Sequence, residues 1–294
     1  MSPIDTLQKS SQALAALLPP LLLAEASRVA ATVAQGLHGR RRQGPGDAFW
    51  QFRRYQLGDS LRDIDWRRSA RFGPLFVRER EWEAAQTVWL WCDGSPSMEY
   101  RSDRALPSKK ERAQVLTVAL AILLLEGGER VGLLGAGHSA MSGKNVTAAL
   151  AETLAAGPAL PEPGRVAPPS RHAQAVLIGD FLDPPEVFAS RLHRLNSFDL
   201  SGHILQVLDP AEESLPFRGR VRFEGMEGEG ETLIERSEDV REAYLARLAD
   251  HRQRLRETAR HMGWTFDVHH TATSPASALL NLHAALSGPS RRVG

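Results

Sequence analysis

The sequence is poor in cysteine, in net charge and in long apolar runs. Cys92 is the single cysteine in 294 residues, so an intrachain disulfide is excluded and a reducing compartment is expected. The formal net charge of +1 gives no long-range attraction to nucleic acid or to an acidic membrane. No apolar run approaches the roughly 18 residues of a membrane span, and the N-terminus lacks the basic start of a signal peptide. These absences predict a soluble, cytoplasmic protein.

Short apolar runs alternate with helical patterns along most of the chain after Thr87. The runs predict strands at TVWLWCD (87–93), RVGLLGA (130–136), AQAVLIGD (173–180), GHILQVLD (202–209) and WTFDVHH (264–270). Apolar residues at helical spacing predict helices at 21–38, 108–126, 145–155, 185–195, 239–262 and 275–286. Strands that alternate with helices are typical of an α/β fold with both sheet faces covered. We therefore predict a doubly wound, mainly parallel sheet, with an added hairpin formed by RVRFEG and ETLIER.

The segment before this domain has a different composition. Residues 38–80 contain 11 arginines and five acidic residues, and GPLFVRERE (73–81) alternates like an exposed strand. Because the charges at 62–68 alternate in sign, ion pairs within the protein explain them better than a phosphate track does, and nucleic-acid binding stays an alternative. Trp66 is predicted as a core residue. We divide the chain into an N-terminal arm and helix (1–38), an arginine-rich, β-type lead-in (39–86) and an α/β domain (87–294).

A carboxylate and two hydroxyls follow the first strand of the predicted sheet. Asp93, Ser95 and Ser97 stand at alternate positions after the apolar run 88–92. Asp180 follows a second apolar strand, and ligands of α/β sheets bind outside the carboxyl ends of the strands. Oxygen ligands of this kind suit Mg²⁺ or Mn²⁺. The sequence predicts a metal site here, although the same Asp-x-Ser-x-Ser pattern also forms turns and helix caps.

Two stretches of the chain resemble known families. Residues 93–98 (DGSPSM) resemble the opening of the metal-ion-dependent adhesion site of von Willebrand factor A domains. The pattern YxxGDxxRxIDW at 55–66, followed by SAR at 69–71 and LxVRE at 75–79, resembles the bacterial domain-of-unknown-function family fifty-eight. This resemblance implies a von Willebrand A-like fold and a partner, a MoxR-type AAA+ ATPase. It therefore implies an adaptor or co-chaperone that acts with this ATPase on unidentified client proteins, and not an enzyme.

The resemblance to the adhesion site also implies its ligands. The implied metal ligands are Asp93, Ser95, Ser97 and, as the distal acid, Asp180. The adhesion site uses a further threonine before the second helix, but Lys144 stands at that position in GKNVTAAL (143–150). Two outcomes stay open: Thr147, one helical turn later, replaces the missing ligand, or the Lys144 ammonium takes the place of the metal between the two carboxylates.

An enzymatic function is the main alternative to protein binding. A metal-dependent phosphoesterase centred on Asp93 would need a second metal or a general base, and no histidine is suitably placed for that role. GHSAM (137–141) lacks the closing glycine of a nucleophile elbow. SGKN (142–145) lacks the Ser or Thr that ends a phosphate-binding loop. The sequence thus favours protein–protein interaction.

Overall fold

The protein is described by a computed structural model that covers residues 20–38, 49–56, 64–80, 86–135, 140–142, 146, 150, 153–155, 173–198 and 200–287. The chain divides into two compact units. One contains the described residues of Met1–Gly36 and Gln86–Gly294, and the other contains those of Leu37–Ala85. Helix α1 (Pro20–His38) lies almost entirely in the first unit. The second unit spans nearly the same residues as the arginine-rich lead-in.

The smaller unit contains an antiparallel strand pair and a short helix. Strand β1 (Phe49–Arg54) pairs with β2 (Phe76–Arg80), and helix α2 (Trp66–Phe72) lies between them in the chain. The side chain of Asp65 caps α2 by accepting a hydrogen bond from the backbone N–H of Arg68. The expectation of a core position for Trp66 was wrong, because this first residue of α2 is 61% exposed. The ion pairing predicted for the arginines of this segment stays a prediction.

The larger unit is built from alternating strands and helices. Its strands are β3 (Thr87–Cys92), β4 (Arg130–Leu133), β5 (Gln174–Gly179), β6 (Ser201–Leu208), β7 (Val221–Glu224), β8 (Glu231–Ile234) and β9 (Thr265–His270). Its further helices are α3 (Lys109–Glu126), α4 (Pro185–Asn196), α5 (Pro210–Ser214), α6 (Ser237–His261) and α7 (Pro275–Leu286). Among the described residues, five parallel strands form one sheet in the order β4-β3-β5-β6-β9. The predicted α/β fold with a mainly parallel sheet is confirmed.

One face of the sheet is covered by α4 and α6. Trp89 and Trp91 of β3 lie in the same buried cluster as Leu177 of β5, together with Phe188 of α4 and Leu255 of α6. Every residue of β3 and β5 is buried, as expected for central parallel strands covered on both sides. The large apolar area of the two tryptophans makes this cluster a main source of hydrophobic stabilisation.

Helices α3 and α7 cover the opposite face. Both contact β6, they contact each other, and α3 also contacts β3, β4 and β5. Helix α3 starts with a capping box, in which Ser108 Oγ accepts from the Glu111 N–H and Glu111 accepts from the Ser108 N–H. This box fixes where the helix begins and therefore which lysine becomes its first residue. Helix α1 is tied to α3 by an ion pair between Glu25 and Arg112 (3.4 Å).

The predicted hairpin is confirmed, whereas two helices of this unit differ from the sequence prediction. The hairpin is present as β7 and β8, which pair from Val221↔Ile234 to Glu224↔Glu231. Helix α6 begins at Ser237, two residues before the predicted start, with Arg236 as its N-cap residue. The short helix α5 was not predicted, although Asp209 and Glu212 form a capping box at its start.

None of the described helices combines the length and apolar character that crossing a bilayer requires.

The strand order sets where a ligand can approach the sheet. β3 is the first strand of the sheet along the chain; β4 pairs on one side of it and β5 on the other. The winding of the chain therefore reverses between β3 and β5. In open α/β sheets this reversal leaves a crevice at the carboxyl ends of the two strands, where ligands bind. Asp93 follows β3 and Asp180 follows β5, so both border this crevice.

The close pairing of β5 and β6 requires glycine at position 202. A Cβ atom added to Gly202 would overlap the carbonyl oxygen of Ala175 and lie 2.8 Å from the Trp264 ring. We expect Gly202→Ala to lower the free energy of unfolding by about 1–3 kcal/mol, since overpacking a core costs this much. Denaturant unfolding at neutral pH measures it. The control is Gly36→Ala, where nothing lies within 4 Å and no loss is expected; equal stability of the two variants would contradict the packing.

Candidate functional site

The loop after β3 is held in a fixed turn by Asp93. Its backbone N–H donates to the carbonyl oxygen of Ile178 (2.8 Å), which extends the sheet pairing by one residue. Its carboxylate Oδ1 accepts a hydrogen bond from the backbone N–H of Ser95 (2.9 Å). A Cβ atom on Gly179 would lie 2.9 Å from Asp93 Oδ2. Glycine at 179 therefore makes room for the carboxylate, and no other residue type could do so without a shift.

The two serines link this loop to the acid on the next strand. Ser95 Oγ and Ser97 Oγ lie 3.1 Å apart, and Ser97 Oγ donates to Asp180 Oδ2 (2.7 Å). Met98, the residue after Ser97, is fully buried, so its side chain holds the loop against the protein core. The structure thus brings together four of the residues named from the sequence, whereas Thr147 and Lys144 lie outside the described residues.

Lys109, which sequence reasoning missed, provides the positive charge of the site. Its side chain is fully buried, and Nζ donates to Asp180 Oδ2 (2.9 Å) and to Glu212 Oε1 (2.7 Å). Lys109 is the first residue of α3, and its backbone N–H donates to the carbonyl oxygen of Tyr100 (3.2 Å). The ammonium therefore lies where the ends of β5 and β6 meet the loop after β3.

Electrostatics keep this lysine charged. Burial works against the ammonium, but the carboxylates of Asp180 and Glu212 outweigh it, and the pKa of Lys109 is raised above its ordinary value. Glu212 is itself held in place, because its Oε2 accepts from the backbone N–H of Asp209 (2.8 Å) and its carbonyl oxygen accepts from Tyr244 (2.7 Å). The buried lysine is thus paired on two sides by carboxylates that the fold holds rigidly.

Asp93 differs from the other two carboxylates. Burial raises its pKa, the Ser95 N–H opposes this rise, and the negative charge of Asp180 adds to it. No lysine or arginine among the described residues forms an ion pair with Asp93, and its side chain is only partly buried. Glu212 is also partly exposed, but it is paired with Lys109, so Asp93 is the acid of this group whose charge is left for an outside molecule.

The described side chains fit a divalent metal poorly. Asp180 Oδ2 already accepts from both Ser97 and Lys109. No group of three His, Cys, Asp or Glu residues suited to a metal occurs in the described part of the chain. A lysine ammonium and a divalent ion about 4 Å apart repel by roughly 8 kcal/mol at an effective dielectric constant of about 20. Binding of Mg²⁺ or Mn²⁺ stays a prediction that this arrangement disfavours.

The loop that carries Asp180 also presents apolar surface. Phe181 has a positive φ of 50°, an unusual conformation for a bulky residue. It is held there by His251, whose Nε2 donates to the Phe181 carbonyl oxygen (2.8 Å), and by ring contact with Trp91. The backbone then leaves Leu182 44% exposed and Val187 38% exposed. The segment that follows Asp180 therefore carries two exposed apolar side chains.

The sequence held a signal for a paired lysine at position 109 or 110, but not for which of the two. Lysine is unfavourable in the first turn of a helix, because the positive end of the helix dipole lies there. The capping box of Ser108 and Glu111 marks that turn. A lysine placed there needs a nearby carboxylate to offset the unfavourable interaction with the helix dipole. Glu212 and Gly179 gave no comparable signal, because their roles depend on contacts between distant segments.

Loss of the buried ammonium should be costly. We expect Lys109→Met to reduce the free energy of unfolding by about 3–5 kcal/mol at pH 7, because two buried carboxylates lose their partner. The loss should shrink at acid pH, because burial raises the pKa of Glu212 and a protonated Glu212 no longer needs a counter-charge.

The matched control is Lys110→Met. Lys110 pairs with Glu99 (2.5 Å) at the surface, with 29% and 53% of the two side chains exposed, so its loss should cost less than about 1 kcal/mol. Denaturant unfolding at pH 7 and pH 5 measures both variants. A Lys109→Met protein as stable as Lys110→Met would contradict the buried pairing.

Comparison with known proteins identifies relatives over most of the chain. Residues 51–254 match the family model described as protein of unknown function DUF58. Uncharacterized protein Rv1480 of Mycobacterium tuberculosis and uncharacterized protein Mb1516 of Mycobacterium bovis are each 30% identical over 240 residues, which is 75% of this chain and 73% of theirs.

Two solved structures are similar at a lower level. An aerotolerance-related membrane protein from Bacteroides fragilis is 16% identical and covers 68% of this chain and 98% of its own, with a TM-score of 0.39. The conserved hypothetical protein BatB from Bacteroides thetaiotaomicron is 15% identical and covers 69% and 99%, with a TM-score of 0.35. Scores this low assign neither fold nor function to the chain.

Proposed function

Because the chain belongs to the DUF58 family of proteins of unknown function, we propose that it is an adaptor or co-chaperone for a MoxR-type AAA+ ATPase. In this role it binds the ATPase and a client protein in the cytoplasm and catalyses no reaction itself. The partner class comes from the resemblance of its sequence motifs to this family. The following contacts support a binding role at the carboxyl ends of β3 and β5.

The observation that best supports the proposal is the fixed loop that presents Asp93. The turn is held by the Ser95 N–H (2.9 Å) and joined through Ser97 to Asp180 (2.7 Å). A loop held in this way loses little conformational entropy on binding. Less of the free energy gained from its contacts is therefore offset by ordering the loop. The exposed side chains of Leu182 and Val187 add apolar area beside the polar contact, as protein interfaces do.

We also propose that the fold is of the von Willebrand A type. Two features support this: the Asp-x-Ser-x-Ser loop follows the first strand of the sheet, and a second acid, Asp180, follows the neighbouring strand β5. Both are positioned at the reversal of strand order, where open α/β sheets bind ligands. The alternatives of a metal-dependent phosphoesterase and of nucleic-acid binding by residues 40–80 stay untested.

The partner contact follows from the charges of the site. Lys109 is enclosed and already paired with two carboxylates, so it cannot offer its ammonium to a partner acid. Asp93 is partly exposed and has no ion-pair partner among the described residues. We therefore propose that the partner contributes a hydrogen-bond donor, such as an amide or a basic side chain, to Asp93.

Co-purification tests this proposal. The tagged chain is mixed with the purified MoxR-type ATPase from the same organism, and the retained ATPase is measured for wild type, Asp93→Asn and Asp239→Asn. We expect retention by wild type and by Asp239→Asn, whose carboxylate is exposed in the first turn of α6. Asp93→Asn should retain at least about tenfold less, because loss of a central contact costs more than about 1.4 kcal/mol.

The possible results distinguish a wrong partner from a wrong docking site. Circular dichroism first shows whether the Asp93→Asn protein is folded. Absence of binding by wild type would contradict the ATPase partner. Equal retention by wild type and Asp93→Asn would show that the partner docks elsewhere on the chain.

A further inference from the structure

The arrangement of acids around Lys109 points to a site that has its cation built in. We propose that the Lys109 ammonium supplies the positive charge that a divalent ion would supply in this adhesion-type site, so that the loop of Asp93, Ser95 and Ser97 keeps its shape without a metal. The inference concerns the isolated chain. It therefore stands or fails independently of the partner proposed above.

The hydrogen bonds of Asp180 are the first support. Its Oδ2 accepts from Ser97 Oγ (2.7 Å) and from Lys109 Nζ (2.9 Å). Ser97 is one of the two hydroxyl ligands implied for a metal, and here its proton is directed at the distal acid. The ammonium and the serine therefore share the same carboxylate oxygen, and a metal would have to displace an existing contact of each.

The confinement of Lys109 is the second support. Its side chain is fully buried, and a second carboxylate, Glu212, accepts from Nζ at 2.7 Å. The helix N-terminus fixes the backbone through the Ser108 capping box and the carbonyl oxygen of Tyr100. A lysine held in this way has no route to swing into solvent when a metal arrives, unlike a surface lysine such as Lys110.

The connections of Glu212 give the ammonium a structural role. Glu212 belongs to α5, which follows β6, and Asp180 follows β5. One Nζ atom therefore joins two neighbouring strand ends, and through Ser97 it also holds the loop after β3. The ligands implied for a divalent ion lie in two of these loops, after β3 and after β5. Lys109 joins them from within the core.

Metal titration of three proteins tests this inference. Wild type, Lys110→Met and Lys109→Ala are each titrated with MnCl₂ and with MgCl₂ by calorimetry, and their melting temperatures are measured with and without the ions. We expect no saturable binding and no shift in melting temperature for wild type and Lys110→Met. Lys109→Ala leaves the carboxylates of Asp180 and Glu212 without a cation, so we expect it to bind one Mn²⁺ and to melt several degrees higher with the ion.

Two results of these titrations would contradict a cation supplied by Lys109. Saturable binding of one Mn²⁺ or Mg²⁺ by wild type would overturn the inference. A folded Lys109→Ala protein with no gain of binding would also overturn it, because the vacated position would then not be a cation site. Should Lys109→Ala fail to fold, Lys109→Gln replaces it, and the wild-type titration still decides between an internal and an external cation.

Discussion

A buried ammonium joins the loops that follow three neighbouring parallel strands of this sheet. Lys109 donates to Asp180 after β5 and to Glu212 after β6, and Asp180 in turn accepts from Ser97 in the loop after β3. Charges that are removed from water cost several kcal/mol each unless they are paired with good geometry. The surrounding structure must therefore hold all three groups in place, and the capping boxes at Ser108 and Asp209 are the local devices that do so.

This constraint separates the acids of the site into two roles. Asp180 and Glu212 are paired with the lysine and contribute to the fold. Asp93 is partly exposed in the loop after β3, has no ion-pair partner among the described residues, and borders the crevice at the reversal of strand order. A binding surface needs both parts, since a reachable polar group gives specificity only if the backbone that presents it does not move. The glycine at 179 and the strained backbone at Phe181 fit the same interpretation.

The sequence predicted the fold well and the site in part, for reasons that particular residues make clear. The apolar runs before Asp93 and Asp180 predict buried strands, and parallel strands bring their carboxyl ends to one edge, so the meeting of these two acids could be foreseen. The choice between Lys109 and Lys110 could not, because it depends on how α3 is rotated against the sheet. Glu212 depends on the unpredicted helix α5. The exposure of Trp66 could not be foreseen, because it depends on the helix α2 that Asp65 caps, and no helix was predicted in this segment.

The account depends most directly on where the positive charge of the site comes from. A crystal structure of the full chain grown with MnCl₂, with anomalous diffraction data collected near the manganese edge, answers this question atom by atom. The account predicts density for Lys109 Nζ between Asp180 and Glu212 and no anomalous peak beside Asp93 or Ser97. An anomalous peak within about 2.3 Å of the Ser95 and Ser97 hydroxyls, with Lys109 turned away from Asp180, would contradict it.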